Sequence, residues 1–136
     1  MALLRPLLAL TMGMLMTSAA HAGPDPAQPL FAFIYRPGPA WKPGLPMAQQ
    51  DLRAHGGYIA RLAQEGRVMA AGGWAGADGG MAVLRAADVD EAARLLAADP
   101  AVSAGIFQAD LRRWSPRFGV DTDLVPAATP RPMPKP

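Results

Sequence analysis

His55 is the residue best suited to do chemistry in this chain. The sequence holds two histidines and no cysteine. His21 lies in a segment with signal-peptide character and would leave with it, so His55 is the single imidazole expected in the mature chain. Imidazole is the side chain whose ordinary pKa lies closest to neutrality, which suits it to take and return protons. Without cysteine there is no thiol nucleophile, no thiolate metal ligand and no lipidated anchor. One histidine leaves no histidine-rich zinc site within one subunit, and no serine-hydrolase elbow is present. Proton transfer by acid and base, without a cofactor, is chemistry this inventory allows.

Four further residues could shape a ligand site. Arg36 follows the first apolar run and could hold an anionic substrate, or be a solvated loop residue. Tyr35, Trp41 and Trp74 could line an aromatic pocket, or serve as ordinary packing and turn cover. The glycine-rich stretch 72–80 (GGWAGADGG) is followed neither by Gly-Lys-Ser/Thr nor by a helix, so a hairpin turn is favoured over a phosphate loop.

These residues need elements to position them. Residues 30–35 (LFAFIY) read as a strand with Leu30, Ala32 and Ile34 on one face and Phe31, Phe33 and Tyr35 on the other. Four prolines and two glycines make residues 36–46 a fixed loop. Residues 47–65 read as a helix ended by Gly66, with Leu52, His55, Ile59 and Leu62 on its buried stripe. Gly56-Gly57 sits inside that helix at about 1 kcal/mol per glycine against alanine. The pair weakens the case for an unbroken helix, or allows close backbone approach beside His55.

Residues 68–71 and 81–86 read as strands joined by the glycine-rich turn. Asp88 and Glu91 form a capping box that opens a helix through residue 98, with Ala92, Leu95 and Leu96 buried. Asp99-Pro100 stops it, and residues 105–111 form the last strand. The order βαββαβ is that of a ferredoxin-like α+β fold with an antiparallel sheet. With both helices on one face, Phe31, Phe33 and Tyr35 are expected on the uncovered one, and a homodimer with sheets face to face would bury them.

The ends read differently. Residues 1–22 carry Arg5, an apolar run and Ala20-His21-Ala22, the small-x-small pattern of signal-peptidase cleavage. The run is about half the length of a membrane-spanning helix. The expected mature chain starts at Gly23 after export to the periplasm or medium, with no membrane association after cleavage. Residues 23–29 are a short linker, 30–118 the domain, and 119–136 a proline-rich tail, better read as solvated than as a ligand for a proline-binding module. The net charge is +2, and loss of Arg5 leaves +1. So small a charge, with Arg112-Arg113 the one adjacent basic pair, argues against nucleic-acid binding.

Over residues 30–118 the chain resembles the YciI-like (YCII-related) family. The matching pieces are Tyr35-Arg36-Pro37-Gly38-Pro39-Ala40-Trp41, Leu52-Arg53-Ala54-His55, Leu62-Ala63-Gln64-Glu65-Gly66-Arg67, Ala70-Ala71-Gly72-Gly73, Glu91-Ala92-Ala93, Asp99-Pro100-Ala101-Val102 and Trp114-Ser115-Pro116. Gly73-Trp74 departs from the Gly-Pro expected there and would reshape a pocket rim. The resemblance implies a ferredoxin-like domain assembled as a dimeric α/β barrel, with His55 and Asp99 as an active-site pair. Asp99 continues the buried stripe of the second helix, so helices on one sheet face could bring the two side chains together. A carboxylate on one ring nitrogen fixes the tautomer and leaves the other as a base. Two other readings stand beside this one: a satisfied core histidine, and an Asp-Pro that only stops a helix or caps the next turn. With the resemblance, the expected function is a cofactor-independent lyase- or isomerase-type enzyme acting on a small molecule; a non-catalytic ligand-binding or structural dimeric module of the cell envelope is the alternative.

Overall fold

The computed structural model describes residues 23–118; the expected leader and the tail from residue 119 lie outside them. The elements run β1 (Leu30–Pro37), a 3-10 turn (Met47–Gln49), α1 (Arg53–Gln64), β2 (Val68–Gly73), β3 (Gly80–Arg85), α2 (Val89–Ala97), α3 (Pro100–Ser103) and β4 (Phe107–Trp114). The sheet order is β2-β3-β1-β4, and every neighbouring pair is antiparallel. This is the ferredoxin-like α+β arrangement. Among the described residues no helix is long and apolar enough to cross a membrane.

β1 is central, bonded to β3 on one side and β4 on the other. Its position explains why both of its faces are apolar. The assignment of those faces needs correction. Phe31, Phe33 and Tyr35 do not lie on an uncovered face; they form the main core with Tyr58 and Leu62 of α1 and Ala92 and Leu96 of α2. Leu30, Ala32 and Val83 form the second cluster, on the face without helices, flanked by Ile34, Met69 and Met81. Strand alternation fixes which side chains travel together, but not which set the helices cover. The bulkier aromatic set has more area to bury and takes the covered side.

The helix expected over residues 47–65 is shorter. Gln50 interrupts it in an extended conformation (φ −75°, ψ 155°). Its side-chain amide donates to the carbonyls of Lys42 (2.8 Å) and Leu45 (3.0 Å) and accepts from the Lys42 amide (3.0 Å). A buried Gln50 thus satisfies loop backbone groups, and α1 begins only after it. The far end behaves as expected. Gly66 is left-handed (φ 75°), its amide bonds to Ala63 and that of Arg67 to Leu62, the two bonds of a Schellman closure.

α2 starts on the expected capping residues. Asp88 Oδ1 accepts from the Glu91 amide (2.7 Å), while Glu91 Oε2 reaches back one residue further than the usual box, to the Ala87 amide (2.6 Å). Glu91 also pairs with Arg67 at 3.0 Å. Asp99-Pro100 ends the helical run, and then opens α3, with Asp99 as N-cap and Pro100 in its first turn.

Candidate active site

Three elements deliver three side chains to one point. β1 supplies Tyr35, directed into the helix-covered core. α1 supplies His55 from its first turn. The joint between α2 and α3 supplies Asp99, whose extended backbone (φ −67°, ψ 121°) is what a residue before proline adopts.

Asp99 is fully buried, and three donors surround its carboxylate. Oδ1 accepts from the Ala101 amide at 2.9 Å, which is the α3 cap. Oδ2 accepts from the Tyr35 hydroxyl at 3.0 Å. The ring nitrogen Nδ1 of His55 stands 2.9 Å from Oδ1 and 2.8 Å from Oδ2. A carboxylate only accepts, so Nδ1 carries the proton of this contact and Nε2 of the neutral ring is left as an acceptor. Burial, and next the charge and hydrogen bond of Asp99, push the Tyr35 hydroxyl far above its ordinary pKa. Tyr35 therefore stays a neutral donor. Burial likewise raises Tyr58, which donates to the Leu95 carbonyl at 2.6 Å and ties α1 to α2.

Aromatic rings hold the imidazole. The Tyr35 and Phe107 rings meet it edge to face, with centroids at 5.1 and 5.3 Å. Trp41 stacks on Phe107 at 5.6 Å. With these contacts and Asp99, the ring has little freedom to turn, while the His55 side chain keeps 18% of its surface exposed. That surface meets a cavity of about 260 Å³. α1 and its N-cap Leu52 form one wall, with His55, Gly56 and Ile59; Gly72, Gly73, Gly79 and Gly80 of the β2–β3 hairpin form the other; Tyr35 and Phe107 close the inner end. Among the described residues, no Lys, Arg, Asp or Glu lines it. Among the described residues no three His, Cys, Asp or Glu side chains cluster as metal ligands would.

The expected site residues thus divide. His55, Asp99 and Tyr35 come together as one hydrogen-bonded group. Trp41 is buried behind Phe107 and supports the site without lining the cavity. Arg36 is elsewhere: it follows Tyr35 in a strand, so it points to the opposite face, where it pairs with Asp110 of β4 at 3.1 Å. Trp74 sits in the hairpin turn, 45% exposed and outside the lining.

Two contributors escape a reading of the sequence alone. Phe107 is one; the signal available for it is its place at the start of the last strand, just beyond left-handed Gly105. The glycine wall is the other. Gly79 has φ 92°, and a Cβ there would fall 2.3 Å from the Tyr35 carbonyl oxygen. A Cβ on Gly80 would meet the Gly72 carbonyl oxygen at the same distance. The hairpin reading is right, and these glycines also let the hairpin backbone close on the site.

No curated protein matches the chain. One solved structure similar to it is 5-chloro-2-hydroxyhydroquinone dehydrochlorinase from Burkholderia phenoliruptrix AC1100, in complex with 2,5-dihydroxybenzoquinone. It shares 24% identity and a TM-score of 0.47, over 63% of this chain and 93% of that one. The YCII-related domain pattern matches residues 30–115, from the start of β1 through the end of β4, and the chain belongs to the YCII-related domain family.

Proposed function

We propose that this protein is a cofactor-independent acid–base enzyme acting on a small molecule, with His55 as the proton-transfer group and Asp99 as its positioning residue. The observation that carries the reading is the buried Asp99 carboxylate on Nδ1 of an imidazole whose exposed part meets a cavity. In the proposed step, Nε2 takes a proton from an activated carbon of the ligand, and the bond's electron pair passes into the activating group. Asp99 stabilises the imidazolium so formed. In an isomerisation the proton returns to a different carbon. In an elimination the electron pair expels a leaving group from the neighbouring carbon, and the imidazolium gives its proton to water.

The test is solvent-deuterium incorporation into a panel of small carbonyl and phenolic compounds, followed by NMR, alongside binding of the same compounds. His55→Ala should lower exchange by about 10²–10⁴-fold with affinity largely kept, and Asp99→Asn should lower it in the same direction. A panel that binds with no His55-dependent exchange would leave the binding-module reading in its place. That second reading has its own support: Asp99 also caps α3 and accepts from Tyr35, so the pair has structural work without catalysis.

The reading extends to the protein's setting. The positive start, the apolar run and Ala20-His21-Ala22 support cleavage after Ala22 and work in the periplasm or medium. Amino-terminal sequencing of the protein from fractionated cells should give Gly23; a cytoplasmic protein retaining Met1 or Ala2 would overturn export. The expected homodimer is retained on a different face from the one the aromatic residues occupy. Ile34, Met69 and Met81, part-buried around the enclosed Leu30, Ala32 and Val83, present apolar surface on the side without helices, and a second copy is the partner that would cover it.

A further inference from the structure

The mid-helix glycines Gly56 and Gly57 carry no close approach of any neighbour: a Cβ built on either meets nothing within 4 Å. Neither has a left-handed backbone. Alanine would fit both positions, and in a helix interior glycine is less stable than alanine by about 1 kcal/mol. Packing therefore gives no reason for either residue. The two differ in one respect, which is that Gly56 lines the cavity and Gly57 does not. Helical spacing explains it. Leu52, His55, Gly56 and Ile59 stand at i, i+3, i+4 and i+7 and share one stripe, while Gly57 is turned about 100° away from Gly56.

We propose that Gly56 is a specificity residue, whose missing side chain keeps the cavity open beside His55 for an uncharged, ring-sized ligand. This rests on the ligand-site reading of the cavity and not on the catalytic one. The size follows from the volume. About 260 Å³ exceeds the roughly 150 Å³ that holds a benzene and falls short of the roughly 300–1,000 Å³ of drug-sized sites, so one substituted ring fits. The charge follows from the lining. Rings and aliphatic side chains would strip water from an anionic group, and among the described residues no Arg or Lys lines the cavity to replace it. His55 Nε2 asks for one hydrogen-bond donor on the ligand. A carboxylate or phosphate ester is the wrong class, and a neutral ring bearing a hydroxyl is the right one.

Phenol and benzoate are the probes, titrated into the full chain and its Gly56→Ala and Gly57→Ala variants, with the His55 ring signal read by NMR and thermal midpoints measured in parallel. Both variants should melt higher than the parent. The parent and Gly57→Ala should bind phenol equally and in preference to benzoate, whereas Gly56→Ala should bind phenol about tenfold more weakly, the size of effect one extra methyl has in a filled site. Equal phenol affinity in Gly56→Ala and the parent would overturn the proposal, as would equal loss in both variants, a lowered melting point for Gly56→Ala, benzoate binding as tight as phenol, or no phenol binding. Loss of deuterium exchange alone would leave it standing, so it and the catalytic reading fail on different measurements.

Discussion

The Tyr35 hydroxyl donates to Asp99 Oδ2 across 3.0 Å, joining the central strand to the joint of two helices 64 residues later. The same carboxylate holds His55 and caps α3. Asp99 is therefore at once a residue of the proposed site and a structural one, and its substitutions should show both effects.

Asp99→Ala should destabilise the protein by about 3 kcal/mol or more, because it strands the Tyr35 hydroxyl, the Ala101 amide and His55 Nδ1 without their acceptor. Asp99→Asn should be milder, since its amide oxygen can still accept one or two of those bonds. Urea denaturation at neutral pH measures both. An Asp99→Ala variant as stable as the parent would contradict the hydrogen-bonded group described above.

Tyr35 predicts an alkaline limit. Its ordinary pKa is 10.0, and burial followed by the charge and hydrogen bond of Asp99 raises it in the fold. The unfolded chain thus ionises first. The contribution of Tyr35 is fully present below about pH 10 and is lost as pH rises through 10 toward the raised folded value. The urea midpoint should fall steeply above that pH. Tyr35→Phe should start less stable by about 1.5–3 kcal/mol and show a shallower fall. A slope unchanged by the substitution would assign the alkaline limit to another group.

Much of the fold can be read from local chemistry. The Asp88–Glu91 cap, the Gly66 closure and the Asp99-Pro100 break each depend on residues close in sequence, and each is found where expected. The reach of α1 is not local: Gln50 delays the start of the expected helix by satisfying Lys42 and Leu45, and nothing in residues 47–65 announces those partners. Arg36 could have been placed. Alternation along β1 already separates it from Tyr35, so the two could not line the same face. The glycine wall was beyond reach, because the clash that excludes a Cβ from Gly79 is with the Tyr35 backbone, far away in sequence.

Arg36→Ala should change stability by less than about 1 kcal/mol, since its pairing with Asp110 is exposed and such pairs contribute little. Ligand affinity should be unchanged, because Arg36 lies outside the cavity lining. Binding isotherms of the variant and the parent should superimpose; a marked loss of affinity for a neutral ligand would place Arg36 back in the site.

The revised sheet faces separate two substitutions on adjacent residues of β1. Ile34→Glu puts a charge on the face without helices and should shift a dimer toward monomer in sedimentation equilibrium, with far-UV dichroism kept. Phe33→Glu buries an unpaired carboxylate at a fully enclosed position and should unfold the chain instead. A soluble, folded Phe33→Glu monomer would restore the opposite assignment.

Leu30 pairs with Trp114 at one end of the sheet, while Tyr35 pairs with Gly80 near the other. At about 3.3 Å per residue, roughly 15–20 Å of strand separates the two poles. The backbone therefore enters and leaves the domain side by side, on the pole away from the cavity beside His55. A partner fused closely and rigidly before β1 or after β4 would start at that remote pole, away from the opening. The same closeness makes the domain a natural candidate for circular permutation, with the old ends linked and new ones opened in the short bend between β3 and α2.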